Sequence, residues 1–331
     1  MDKLRKIGLS ALAGTLASFS ASAGEMSVSG SAEVTWSQQD NDEVTGNPLG
    51  SNKNLTFKGS GELDNGWSFG VMHAQTDAMS GLSSSSLSLD MGSLGTVVYD
   101  SGAGGYGLDA MDNVMPTAFE EADHGLSTGM KDVGSLGNTG TIHYKFPEMA
   151  AGVSVSGGYN PRVGSGAASD GSTSEGTAKS GWDIAAVISS DAHGVDGLEI
   201  GLGIGNIEGG AANSTNGDKE EETIYAKYAW SNFTIGYQIS EEDNEGKTSY
   251  ETDVWGVSFN VNDDLSISYQ YGETEYVKPS AANVTAEFTG WGAAYNWGGM
   301  AIKYADSEGK NHTGTAGVTD NNKELSISMA F

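Results

Sequence analysis

The sequence predicts an all-β fold: a closed antiparallel barrel of sixteen strands that crosses a lipid bilayer, its long third outside loop folded into the lumen. Three observations carry this. Short segments alternate apolar and polar residues with a period of two, which marks strands with one greasy and one wet face. The links between segments alternate long and short, as in membrane barrels with brief turns at one end and longer loops at the other. Aromatic residues gather at segment ends, where two membrane interfaces would fall.

The first 23 residues stand apart from this pattern. Lys3, Arg5 and Lys6 form a basic start, Ile7 to Phe19 an apolar stretch, and Ala21-Ser22-Ala23 a cleavage site, so a secretory signal peptide is expected over 1–23. The apolar stretch is shorter than the roughly 20 residues that a membrane helix needs. The barrel is expected over 24–331 as one domain.

The first segment, Met26–Gln38, puts Met26, Val28, Ala32, Val34 and Trp36 on one face and Ser27, Ser29, Ser31, Glu33 and Thr35 on the other. After loop 39–52 comes Lys53–Leu63, then the hairpin signal Asp64-Asn65-Gly66 and Trp67–Thr76. Ser84–Met91 and Gly95–Asp100 flank a turn at 92–94. Thr139–Phe146 and Gly152–Tyr159 follow, then Gly181–Ser189, Leu198–Asn206, Glu222–Trp230 and Phe233–Ile239. Two more hairpins, Glu251–Val261 with Leu265–Tyr271 and Ala286–Asn296 with Met300–Asp306, lead to the closing strand Lys323–Phe331. There Leu325, Ile327, Met329 and Phe331 share one face.

Charge obeys the same rhythm. A lysine on the lipid face near midplane costs roughly 2–4 kcal/mol. Lys58, Lys145, Lys227 and Lys303 all take the parity opposite the apolar set, as do Glu33, Glu62, Asp90, Asp183, Glu199 and Glu324. His73 and Glu287 break the rule, but both lie near loop ends, where the penalty fades. Sixteen strands leave a wet channel, so a hydrophobic content of 37% is tolerable.

Between Ser101 and Asn138 the period of two vanishes and acids cluster. Loops beyond about 12–15 residues are commonly functional or disordered, and this one is expected to narrow the bore. Asp109, Asp112, Glu120, Glu121 and Asp123 would supply a negative side, with Lys58, His143 and Lys145 on the facing wall.

The net charge of −28 argues against nucleic acid, which needs a basic surface, and favours cations as solutes or as counter-ions to anionic lipid heads. The chain has no Cys, so no disulfide holds it together. Acidic loops at 40–43, 218–222 and 241–245 offer oxygen atoms to a loosely bound Ca²⁺ but lack a dedicated spacing, and no other cofactor is indicated. Five histidines show neither H-E-x-x-H nor zinc spacing, so no enzyme is expected.

The terminal Phe331 with its alternating partners, the turn Asp90-Met91-Gly92-Ser93-Leu94-Gly95 and the loop from Asp109 to Thr117 together resemble the general Gram-negative porins of the α-proteobacterial branch, over Gly24 to Phe331. That resemblance implies an outer-membrane homotrimer passing small hydrophilic solutes and cations. It also implies a constriction loop over Ser101–Asn138, contact with lipopolysaccharide, and a closing strand read by the barrel-assembly machinery. One departure is plain: many such proteins carry several arginines opposite the loop, whereas here the sole Arg after the leader is Arg162, in a loop. Two other readings are a substrate-specific channel, for which Tyr225 is the one clear inward aromatic, and a secreted all-β adhesin.

Overall fold

A computed structural model describes residues 24–41, 45–75, 83–134, 136, 140–164, 179–209 and 217–331. The leader and residues 42–43 of the first acidic loop lie outside the described residues. The sixteen strands are β1 Met26–Asn41, β2 Leu49–Glu62, β3 Ser68–Gln75, β4 Ser84–Asp90, β5 Thr96–Ser101, β6 Thr141–Lys145, β7 Val153–Asn160 and β8 Gly181–Ile188. They continue as β9 Leu198–Ile207, β10 Lys219–Trp230, β11 Phe233–Asn244, β12 Ser249–Asn260, β13 Leu265–Val277, β14 Val284–Trp297, β15 Met300–Lys310 and β16 Thr319–Ala330. Each pairs antiparallel with its neighbours in sequence, and β1 pairs with β16 to close the barrel. Trp36 faces Leu325 across that seam, and the backbones of Gly30 and Phe331 exchange two hydrogen bonds of 2.9 Å. Closure leaves no strand edge to recruit another chain.

The two faces are as expected. Val34, Leu87, Ile235, Ile239, Trp291 and Ile327 are exposed on the outer surface, and so are Leu325, Met329 and Phe331 of the closing strand. Phe233 stacks on Phe259 at 4.4 Å near one end, and Tyr269 leans on Trp291 at 4.6 Å higher up. His73 does point outward, 6.5 Å from the Phe57 ring.

The strands run further toward the long-loop end than the hydrophobic rhythm shows. Segments 218–222 and 241–245, expected as loops, lie mostly inside β10 and β11, and β13 continues past Tyr271 to Val277. Beyond the apolar belt both faces meet water, so the alternation becomes polar against polar and its signal disappears. The backbone ladder needs no such alternation and continues, pairing Glu241 with Glu251 and Asp253 with Glu273. The long-short alternation of links is therefore not strict, because β11 and β12 are joined by residues 245–248 alone.

Lipid takes the outer apolar side chains, so buried apolar clusters form inside the barrel. Leu108, Met111, Met115 and Val133 pack with Ala185, Tyr225 and Val254, while Ala122 packs with Tyr276, Ala286 and Phe288. Each cluster joins the loop between β5 and β6 to the wall.

Candidate functional site: a loop seated on the inner wall

The loop leaves β5, makes a tight helical turn at Gly107–Met111, and crosses the lumen side of β7 to β16 before returning. Inward side chains of the wall hold its backbone at every stage. Ser156 Oγ accepts from Gly107 N–H (3.0 Å) and Asp183 from Leu108 N–H (3.3 Å). Gln238 Nε2 donates to Met111 O at 2.8 Å. Gln270 uses both ends of its amide: Nε2 donates to Met115 O and Pro116 O, and Oε1 accepts from Ala122 N–H at 3.0 Å. At the far turn Gln39 Nε2 donates to Gly125 O (2.9 Å) and Asp320 accepts from Ser127 N–H (2.8 Å), so the loop reaches the seam of the barrel. The returning arm is held by Thr252 on Lys131 O, Ser240 on Asp132, and Glu221 on Gly134 N–H (2.7 Å).

The wall makes room for this lid by omitting side chains. Gly205, Gly236, Gly256, Gly272 and Gly290 lie beneath it. A Cβ on Gly290 would come within 2.4 Å of Ala122 Cα, and one on Gly256 within 2.8 Å of Pro116 O. Such contacts are tighter than any packed interior accepts.

The five acids expected at the constriction are all on this loop, but they are not equivalent. Asp109 accepts the Gly105 N–H and so closes a local turn. Asp123 accepts the Met130 N–H at 2.7 Å and ties the two arms together. Glu120 lies 3.5 Å from His124, whose other nitrogen is 3.4 Å from Glu324 on β16. Burial favours a neutral His124, but the carboxylates of Glu324 and Glu120 outweigh it and raise the imidazole's pKa. Asp112 and Glu121 face the space between the arms. Burial, reinforced by Asp109 and Asp123, pushes Asp112 up to about 6; burial likewise raises Glu120, Glu121 and Asp123.

On the facing wall, Lys58 and Lys145 point inward and are exposed near the short-turn ends of β2 and β6. His143 needs correction. Its parity is inward, but it is only 5% exposed, stacked under Tyr106 at 5.1 Å and 3.5 Å from Asp100, so it props the root of the loop instead of lining the bore. Tyr225 is not the single inward aromatic either, since Tyr276 and Phe288 also point in; all three are buried beneath the loop.

Four residues of the site are not assigned to it by the sequence. Asp132, on the returning arm, is driven to about 7 by burial, with Asp112, Asp123 and Glu221 adding to the rise and Ser240's hydroxyl opposing it. Lys303 reaches within 4.7 Å of the Phe119 ring centre and 3.7 Å of Glu33, so it is a wall cation that touches the loop. Gln238 and Gln270 bear the loop's weight, and their inward parity amid glycines was the available signal.

A family model described as Gram-negative porin matches residues 8–315 of the chain. No curated protein matches it in sequence. Among solved structures it is similar to OmpF of Salmonella typhi in complex with daunomycin, at 13% identity and a TM-score of 0.72, covering 94% of this chain and 99% of that one. An anion-selective porin from Comamonas acidovorans aligns at 17% identity and a TM-score of 0.66, covering 93% and 100%. The trimer form of OmpT from Vibrio cholerae aligns at 12% identity and a TM-score of 0.65, over the same shares.

Proposed function

The chain belongs to the family of Gram-negative porins, and from that premise we propose that its channel passes small hydrophilic solutes by diffusion with a preference for cations. The protein is an outer-membrane channel and not an enzyme. What carries the preference is the loop. Asp109, Asp112, Glu120, Glu121, Asp123 and Asp132 stand on it, against Lys131 and His124, while the uncovered wall offers Lys58 and Lys145. Rings of acidic side chains favour cations. The sign of selectivity is a property of such side chains and not of the barrel, for the similar Comamonas acidovorans porin is described as anion-selective. The inward wall aromatics Tyr225, Tyr276 and Phe288 are covered by the loop, which favours a general porin over a substrate-specific one.

Three partners belong to the same reading. Homotrimers would form through the first strands and the last; the similar OmpT of Vibrio cholerae has a trimer form. The exposed row Leu325, Ile327, Met329 and Phe331 would serve the barrel-assembly machinery. Lipopolysaccharide would meet the acidic outer rim of β10 to β15 through divalent ions such as Ca²⁺ held loosely between carboxylates. The deciding experiment is the reversal potential in a KCl gradient across a planar bilayer. K⁺ preference, strongest at low salt where screening is weak, is expected; Cl⁻ preference would remove the proposal.

A further inference from the structure

The far turn of the loop, residues 119–127, lies against the seam where β1 and β16 close the barrel, and one histidine stands in that contact. His124 Nδ1 is 3.5 Å from Glu120 Oε2 on the loop itself, and Nε2 is 3.4 Å from Glu324 Oε2 on β16. That Nε2 is buried, and among the described residues it has no hydrogen-bond acceptor other than Glu324 to turn to. Glu324 is tied in turn across the seam, accepting from Ser37 Oγ of β1 at 3.1 Å. Glu120, His124, Glu324 and Ser37 thus link the loop to both strands of the seam.

Protonation decides how many of these links hold. A neutral imidazole has one N–H and serves one carboxylate, whereas an imidazolium has two and serves both. The charged neighbours come from four elements: Glu120, Glu121 and Asp123 from the loop, Glu324 and Asp320 from β16, Glu33 from β1, and Lys303 from β15 between Glu33 and the Phe119 ring. Carboxylates outnumber cations there, and Glu120 and Glu324 repel one another when His124 is uncharged. The amides of Gln39, on Gly125 O at 2.9 Å, and of Asn322, on His124 O at 3.2 Å, hold the tip at any pH and set the background on which the histidine acts.

We propose that His124 is a proton-operated latch: charged, it clamps the tip of the loop to the seam, and neutral, it lets the tip lift into the bore and interrupt the current. Burial alone would lower the imidazole's pKa, but Glu324 and Glu120 raise it, so the seated tip holds the proton more firmly than the lifted one. The stabilisation is complete below the free imidazole's value of about 6.5 and is lost as pH rises through the raised value of the seated state. The latch requires only a conducting channel, whichever ion that channel prefers.

The test is single-channel current in symmetric KCl between about pH 6 and pH 9, below the ordinary lysine range. Brief closures of the unaltered channel should become several-fold more frequent as pH rises, with a slope no steeper than about tenfold per pH unit, because one proton is involved. His124→Gln should close as often at the acid end as the parent does at the alkaline end, and Glu324→Gln should flatten the profile. His124→Lys, charged across the window and carrying three N–H donors, should stay quiet throughout. Because His143 stands at the root of the loop, 3.5 Å from Asp100, the assignment needs these variants as well as the parent's profile; should His124→Gln fail to fold, Glu324→Gln and His124→Lys carry the same test. A flat profile in the parent, a His124→Gln channel that keeps the parent's profile, or a His124→Lys channel that closes like the glutamine variant would overturn the latch and leave the channel and its ion preference standing. Absence of any current would contradict the channel itself, and the latch with it.

Discussion

From β8 to β15 many inward positions are glycines, buried amides, hydroxyls and apolar side chains that lie beneath the loop, whereas from β1 to β4 Ser27, Asn54, Thr56, Lys58, Ser60 and Ser86 are open to the lumen. Both walls belong to one sheet and present the same apolar belt to lipid. The difference lies in what each wall binds. A barrel in a bilayer gains little by burying its outer side chains, since lipid already solvates them, so interior packing is concentrated where the loop sits. The uncovered wall needs only to stay wetted, and hydroxyls and short amides do that.

The contrast can be broken by substitution. Placing a side chain under the lid should do the most damage. Gly290→Leu drives atoms into Ala122, and overpacking of this kind costs about 1–3 kcal/mol. Heat-modifiable gel migration should show a lower unfolding temperature, and bilayer recordings a several-fold altered conductance; Ser60→Leu on the bare wall should change the unfolding temperature little. Next comes Gln270→Leu, which strips the Met115 and Pro116 carbonyls and the Ala122 N–H of their partner and should cost about 2 kcal/mol. Asn54→Leu, its counterpart on the open wall, should stay within about 0.5 kcal/mol.

Smaller effects sharpen the electrostatic side of the comparison. Because Asp112 and Asp132 titrate near 6 and 7, they lose charge as the medium is acidified through that window. The K⁺/Cl⁻ permeability ratio should fall between pH 8 and pH 5, with Asp132→Asn removing the upper part of the change. Lys58→Gln should raise K⁺ preference by less than about twofold, since one exposed charge on the open wall is well screened.

Much of this is legible in the sequence. The outward run Phe233, Ile235, Tyr237, Ile239 located β11 because lipid demands apolar contact, and the lost rhythm after Ser101 located the loop. The continuation of β11 through Glu241 to Asn244 was hidden, because above the belt nothing apolar marks the outer face. His143 had the right parity, but its burial depends on Tyr106, placed by a loop with no period to follow. The glycines of Leu198–Ile207 and Val284–Trp297 all fall on inward positions, a legible sign that something lies on that wall, whereas which arm meets which glycine is set only by closure of the barrel.

The seating of the loop can be measured directly, since the chain has no Cys and single cysteines report cleanly. Thr274 lies under the returning arm at 0% exposure, and Ser60 faces the open lumen. A charged methanethiosulfonate reagent applied to channels in a bilayer should modify Ser60→Cys quickly, with a step in current, and leave Thr274→Cys untouched over the same time. Equal reaction rates at the two positions would mean that the loop does not lie against that wall.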